Sequence, residues 1–130
     1  MRTDQHPPRG PFLERAAFPR LAEAVGPARD WVRRAYEQAG GKQGETCALL
    51  VSELFTNAVR YAAGARVVVT VWDSLAVDVM DASPEKPLIQ VPDDDSESGR
   101  GLLLVSALSS HFDVIPFEDG KILRFRLDEN

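Results

Sequence analysis

Two adjacent strand-like segments in the middle of the chain constrain the fold most strongly. Residues 66–73 are rich in β-branched side chains, which favour strands, and Asp73-Ser74 is typical of a tight turn. In the segment that follows, residues 75–81, two sets of side chains alternate: Leu75, Val77 and Val79 against Ala76, Asp78 and Met80. Alternation with a period of two indicates a strand with one buried face, so the two segments predict a hairpin that other elements cover.

Helical patterns precede and follow this hairpin. The first, over residues 26–39, begins at a Gly-Pro pair, which a first turn tolerates, and ends at a Gly-Gly pair. The second, over residues 45–62, repeats apolar side chains at helical spacing and is followed by a glycine. Residues 101–109 are apolar nearly all round, which predicts a buried third helix.

Further strands are expected at both ends of the chain. Residues 12–18 form a predicted edge strand, which Pro19 ends. Residues 111–116 and 121–127 predict a final hairpin around Glu118-Asp119-Gly120. Three side chains of its second strand are expected to face inward: Leu123, Phe125 and Leu127.

These elements predict an α/β (α+β) two-layer sandwich, in which a mixed, mainly antiparallel sheet is covered on one face by about three helices. The chain has 130 residues, of which 44% are apolar, enough for one well-formed core. Residues 1–11 contain three prolines and are predicted to be a flexible leader. Residues 12–130 are predicted to form a single domain.

Charge and composition exclude several classes of function. The net charge is −5, so direct nucleic-acid binding through a broad basic face is not expected. No apolar run approaches the length of a membrane span, and the start of the chain lacks the apolar core of a signal peptide, so a cytoplasmic location is expected. The single cysteine, Cys47, excludes an internal disulfide and is predicted to be a buried structural thiol.

The second predicted helix carries a polar face. Glu53, Asn57 and Arg60 are spaced i, i+4, i+7, which places them on one side of a helix. Carboxylate and amide oxygens are hard ligands suited to Mg²⁺ or to its bound waters. The alternative is a solvated face on which Glu53 and Arg60 form a weak surface pair.

Asp81 ends the alternating strand on the same side as Val77 and Val79, which is the core side. A carboxylate in that position must find a partner, because an unpaired buried charge is costly. The amino group of a purine is a suitable donor. Alternatively, Asp81 caps the turn at residues 82–84 through the backbone.

A long acidic loop over residues 82–98 leads into Gly99-Arg100-Gly101, which opens the third helix. Loops of this length in compact domains are usually functional or mobile. Glycines let a backbone approach a ligand closely, a helix N-terminus offers free N–H groups to phosphate, and Arg100 adds a planar cation. Glycines are also ordinary loop residues, so this motif alone is weak.

The order of these features resembles the ATP-binding fold of the histidine-kinase-like (GHKL) superfamily over about residues 12–127. The N box of that superfamily is similar to Glu53-Leu54-Phe55-Thr56-Asn57-Ala58. Its first glycine box is similar to Asp81-Ala82-Ser83-Pro84-Glu85-Lys86-Pro87, and its second to Gly99-Arg100-Gly101-Leu102. The compact single-domain form resembles the bacterial anti-sigma-factor serine/threonine kinases.

The resemblance implies a role for each matching residue, with ATP and Mg²⁺ as the cofactors. Asn57 binds Mg²⁺, Glu53 acts as the general base or polarises the attacking hydroxyl, and Asp81 accepts the adenine amino group. The other implied nucleotide contacts are Ser83, Pro87, Gly99, Arg100, Gly101 and Leu102. The implied partners are a sigma factor, an anti-anti-sigma (STAS-type) protein that is phosphorylated on serine, and a second copy in a homodimer.

The sequence departs from this pattern at two positions that bear on activity. Ser98 stands where relatives often have another glycine, and Ile122 falls near where many place a threonine that supports the adenine site. These departures keep an alternative open, a nucleotide-gated regulator that binds a protein partner without phosphotransfer.

Overall fold

The structure is a computed structural model that describes residues 12–82 and 97–129, with the backbone alone described for residue 82 and residues 97–100. The described strands are β1 Phe12–Pro19, β2 Arg66–Trp72, β3 Val77–Ala82, β4 His111–Phe117 and β5 Gly120–Arg126. The described α-helices are α1 Val25–Gln38, α2 Gly44–Tyr61 and α3 Glu97–Leu108, and a short 3-10 turn at Ala22–Ala24 precedes α1.

The five strands form one sheet in the order β1-β2-β3-β5-β4, and each described pairing is antiparallel. The helices pack on one face of this sheet, since α1 contacts β2, α2 contacts β3 and α3 contacts β4. The predicted two-layer sandwich is therefore confirmed. The predicted edge strand is confirmed as β1, which Pro19 ends.

The core forms where the apolar stripes of the helices meet the inward side chains of the strands. α1 contributes Val32 and α2 contributes Leu54, both with no exposed surface. The inward side chains of the central strands include Val69, Val79 and Phe125. Cys47 also lies in this core, and burial raises the pKa of its thiol, so the predicted structural thiol is confirmed.

Two expectations about element boundaries were wrong. β3 begins at Val77, because Leu75 lies in the turn after β2 with φ +70°, a left-handed conformation that a strand does not accommodate. The third helix begins at Glu97, four residues before the predicted start at Gly101.

The third helix is also less buried than predicted. Leu103 is 70% exposed and Leu108 is exposed as well, whereas Val105 is fully buried. α3 packs against α2 and touches the sheet mainly at the edge strand β4, so one face of the helix stays in solvent. Among the described residues, no helix is both long and apolar enough to cross a bilayer.

Candidate functional site

Asp81 lies near the end of the central strand β3, on the face of the sheet that the helices cover. Its side chain is 5% exposed, so the inward orientation expected from strand alternation is confirmed. Lys121 stands directly opposite on β5, and its Nζ donates a hydrogen bond to Asp81 Oδ2 at 2.6 Å. The two side chains form a buried ion pair across two adjacent strands.

The second carboxylate oxygen of Asp81 has no partner among the residues that the structure describes. No residue in the described part of the chain donates a hydrogen bond to Oδ1. A buried acceptor without a donor costs about 1–3 kcal/mol, so native proteins rarely leave one unless a ligand or water completes it. Asp81 was alternatively expected to cap a turn at residues 82–84, of which residues 83 and 84 lie outside the described residues.

Asn57 is a second buried polar side chain that has no hydrogen-bond partner among the described residues. It lies on α2 and is 8% exposed, between the core residues Leu54 and Ala58. Within residues 12–82 and 97–129, its side-chain amide makes no hydrogen bond. The amide therefore has donors and an oxygen available to a ligand. The other two residues of the predicted polar face are less buried, Glu53 in part and Arg60 hardly at all.

Glu53 contacts the glycine segment of α3. A Cβ atom placed on Gly101 would lie 2.6 Å from Glu53 Oε1, closer than atoms approach without a shift. A side chain at Gly101 would require the end of the Glu53 side chain to move, so the glycine allows this close approach. The structure thus brings together two features that are 48 positions apart in the sequence (101 − 53), the N-box-like helix and the glycine segment.

A family model of the histidine kinase-like ATPase domain matches residues 18–127, which is most of the chain. The chain belongs to this family. A search of curated protein sequences found no significant match. The match covers β2, β3, the three helices and the final hairpin, so the buried polar groups described above lie inside a histidine kinase-like ATPase domain.

ATP binding follows from membership of this family, and the polar groups on the helix-covered face fit it. Adenine carries an exocyclic amino group that donates hydrogen bonds, and Asp81 Oδ1 is a buried acceptor with no donor in the described part of the chain. The adenine amino group would donate to Asp81 Oδ1, so that neither group is left unpaired in the complex. A specific site requires such complementary groups.

The described residues do not hold a metal on their own. No group of three or more His, Cys, Asp or Glu side chains among them is arranged to bind one. Mg²⁺ in nucleotide sites commonly takes few protein ligands, with phosphate oxygens and waters filling the remaining positions. The amide oxygen of Asn57, which no described residue contacts by a hydrogen bond, fits such a role, in which the nucleotide supplies most of the ligands.

The glycine-box residues are described only in part. Ser83 and Pro87 lie outside the described residues, and for Ser98, Gly99 and Arg100 the backbone alone is described. Because α3 begins at Glu97, the first N–H groups of this helix have no intrahelical acceptor, which is the usual feature of a phosphate site. Gly101 and Leu102 lie within the helix, where Leu102 packs on the core.

Sequence reasoning missed Lys121 as a site residue. Lys121 has the same strand parity as Leu123 and Phe125, which were expected to face inward, so the signal was present in the sequence. Ile122 has the opposite parity and pairs with Met80 on the face that the helices leave open. The departure at Ile122 therefore does not alter the surroundings of Asp81, where Lys121 is the nearest side chain of β5.

Proposed function

We propose that this chain is an ATP-dependent serine/threonine protein kinase that sequesters a sigma factor and phosphorylates an anti-anti-sigma (STAS-type) protein. The observation that carries the nucleotide site is the buried Asp81 carboxylate with one oxygen unpartnered among the described residues. The kinase activity and the partners follow from the resemblance of the motifs to anti-sigma-factor kinases.

Each residue of the candidate site has a part in this proposal. ATP supplies the phosphoryl group, and Asp81 holds the adenine through its amino group. Asn57 provides one ligand to Mg²⁺, while Gly99 and Arg100 contact the phosphates at the start of α3. Glu53 takes the proton from the serine hydroxyl of the protein substrate, as a base within reach of that hydroxyl can.

The adenine site is tested by measuring nucleotide binding to Asp81→Asn by calorimetry. The substitution removes the charge that accepts the amino hydrogen bond, and we expect ATP to bind about 10- to 100-fold more weakly. Guanine has a carbonyl where adenine has the amino group, so GTP is expected to bind the unaltered protein poorly. Equal affinity for ATP and GTP, or no effect of Asp81→Asn, contradicts the assignment.

The kinase activity is tested by transfer of labelled phosphate from ATP to candidate anti-anti-sigma proteins of the same cell. Glu53→Ala is expected to keep nucleotide binding and to lose about 10²–10⁴-fold in transfer rate, the usual contribution of a positioned base. Asn57→Ala is expected to lose Mg²⁺-dependent nucleotide binding. Transfer by Glu53→Ala at the unaltered rate excludes Glu53 as the base.

One observation favours the alternative of a nucleotide-gated regulator without phosphotransfer. In the described part of the chain, no hydrogen bond or ion pair holds the Glu53 carboxylate, whereas a base works best when a neighbouring group orients it. Nucleotide binding without transfer to any candidate substrate supports this alternative.

The proposed homodimer is tested by sedimentation at micromolar concentration, where a strict monomer counts against it.

A further inference from the structure

Lys121 is a lysine placed on the apolar, helix-covered side of the sheet. It alternates with Leu123 and Phe125 along β5, and its side chain is 12% exposed. Lysine is rarely buried unless it is paired, because its ammonium group loses much hydration. Its described partner is a single oxygen, Asp81 Oδ2 at 2.6 Å.

The ion pair leaves hydrogen-bonding capacity unused on both sides. The lysine ammonium has three N–H donors, of which one is given to Asp81 Oδ2. In the described part of the chain no other acceptor is bonded to Nζ, and no donor is bonded to Asp81 Oδ1. The pair therefore offers an acceptor and a donor side by side, since the two residues stand opposite each other in the β3–β5 register.

An adjacent acceptor and donor match one edge of adenine. That edge carries the amino group, a donor, next to the ring nitrogen N1, an acceptor, and proteins read purines through this edge when the base is unpaired. We propose that Lys121 determines base specificity by donating a hydrogen bond to adenine N1 while Asp81 accepts one from the amino group. This inference rests on the proposed nucleotide site.

The same pair opposes guanine in that orientation. Guanine carries a carbonyl oxygen where adenine has the amino group, and a protonated nitrogen at N1. Asp81 would then face an acceptor and Lys121 a donor, so both contacts change from attractive to repulsive. Sites built to pair specific polar groups reject a ligand that leaves those groups unpaired more strongly than apolar pockets reject a change of size.

The competing interpretation is that Lys121 only neutralises Asp81 and stabilises the sheet. A purely structural lysine does not respond to the atom at position 1 of the purine ring. The test is therefore calorimetry with ATP and with 1-deaza-ATP, in which N1 is replaced by a C–H group. 7-Deaza-ATP, altered on the other edge of the ring, is the control nucleotide.

We expect the unaltered protein to bind ATP about tenfold more tightly than 1-deaza-ATP, the effect of losing one hydrogen bond from a charged donor. Lys121→Met is expected to bind both nucleotides equally. Lys42→Met, which removes an exposed lysine, changes the net charge equally and is expected to keep the tenfold preference.

The outcomes separate this inference from the proposed function. If the unaltered protein binds ATP and 1-deaza-ATP equally, or Lys121→Met keeps the preference, the role of Lys121 is overturned while nucleotide binding stands. If the unaltered protein binds no nucleotide, the proposed function itself is overturned. The comparison of nucleotides on the unaltered protein needs no variant, so equal affinity for ATP and 1-deaza-ATP overturns the role of Lys121 even where Lys121→Met fails to fold.

Discussion

Two buried acid–base pairs join the same two strands, β3 and β5, on opposite faces of the sheet. On the open face, Arg124 donates to Asp78 through Nε to Oδ1 at 2.7 Å and through Nη2 to Oδ2 at 2.9 Å. Trp72 Nε1 adds a third hydrogen bond to Oδ2 at 3.0 Å. On the helix-covered face, Lys121 gives Asp81 one described hydrogen bond.

The two carboxylates are buried to the same degree, with 6% and 5% of their side chains exposed, so burial does not distinguish them. The two carboxylates differ in how many of their oxygens accept a hydrogen bond from a described residue. Asp78 has donors on both oxygens, whereas Asp81 keeps one oxygen without a described donor. A fully satisfied pair gains nothing from a ligand, while an incomplete pair recovers the cost of its unpaired groups when a complementary ligand binds.

The two pairs also differ in their cation, which is an arginine for Asp78 and a lysine for Asp81. The guanidinium of Arg124 is planar and binds a carboxylate through two parallel hydrogen bonds, which suits a permanent structural pair. The ammonium of Lys121 is a compact group that uses one donor on Asp81.

The open face also has a depression of about 200 Å³ beside Trp72 and Asp78, but both carboxylate oxygens of Asp78 already accept hydrogen bonds.

The largest expected effect is the loss of stability in Arg124→Met. Among the described residues, this substitution leaves the buried Asp78 carboxylate with only the Trp72 donor, and breaking a buried ion pair from one side costs about 3–5 kcal/mol. Urea denaturation measures the free energy of unfolding. Lys121→Met is expected to cost less, because Lys121 gives Asp81 a single described hydrogen bond and Asp81 Oδ1 has no described donor before the change. Equal losses in the two variants would show that the pairs are equivalent.

Nucleotide binding should depend on the Asp81 pair and not on the Asp78 pair, whereas stability should depend more on the Asp78 pair. Mg-ATP at 100 times its Kd is expected to stabilise the unaltered protein by about 2.7 kcal/mol, and Arg124→Met by the same amount. At the same nucleotide concentration, a Kd raised 10- to 100-fold in Asp81→Asn reduces the stabilisation by nucleotide to about 0.4–1.4 kcal/mol. The rate at which a thiol reagent reacts with the buried Cys47 reports the change, because unfolding exposes this thiol. A smaller nucleotide effect in Arg124→Met than in Asp81→Asn reverses the comparison.

Gly101→Ala tests the region where α3 approaches α2. The new Cβ would meet the end of the Glu53 side chain at 2.6 Å and other Glu53 atoms only at 3.6 Å, so the carboxylate can move away. Alanine in a helix is favoured over glycine by about 1 kcal/mol, so stability should be unchanged or raised by up to that amount. Displacement of Glu53 is expected to slow phosphotransfer, and a misplacement of about 1 Å can cost about 100-fold.

The matched control for that variant is Ser106→Ala, which alters an exposed position of the same helix and leaves the Glu53 contact intact. Its transfer rate should equal that of the unaltered protein. If Gly101→Ala also transfers phosphate at the unaltered rate, the position of Glu53 does not limit the reaction.

The smallest effect is expected at an exposed pair on α1. Arg33 Nη1 lies 3.6 Å from Glu37 Oε1, and the two side chains are 41% and 45% exposed. Arg33→Gln preserves helix propensity and should lower the free energy of unfolding by about 0.3–0.5 kcal/mol. Added salt should weaken this effect further, because it screens exposed charges. A cost comparable with that of Arg124→Met would mean that burial is not what gives the Asp78 pair its value.

The sequence by itself determined the layers of this fold and the directions of several side chains. Alternation along β3 placed Asp81 with Val77 and Val79 on the core side. Helical spacing placed Glu53, Asn57 and Arg60 on one polar face of α2, but it did not predict that Asn57 is buried. The parity of Lys121 with Leu123 was also present in the sequence. These features depend on the local period of a strand or helix, which neighbouring residues specify.

Tertiary structure alone decided which groups meet. Asp81 and Lys121 are 40 positions apart, and only the β3–β5 register sets them opposite each other. The same register gives Asp78 its two hydrogen bonds from Arg124, which distinguishes a satisfied carboxylate from an unsatisfied one. The approach of Gly101 to Glu53 and the exposure of Leu103 depend on how α3 packs against α2. Such contacts join distant segments, and no local period in the sequence encodes the register or packing that creates them.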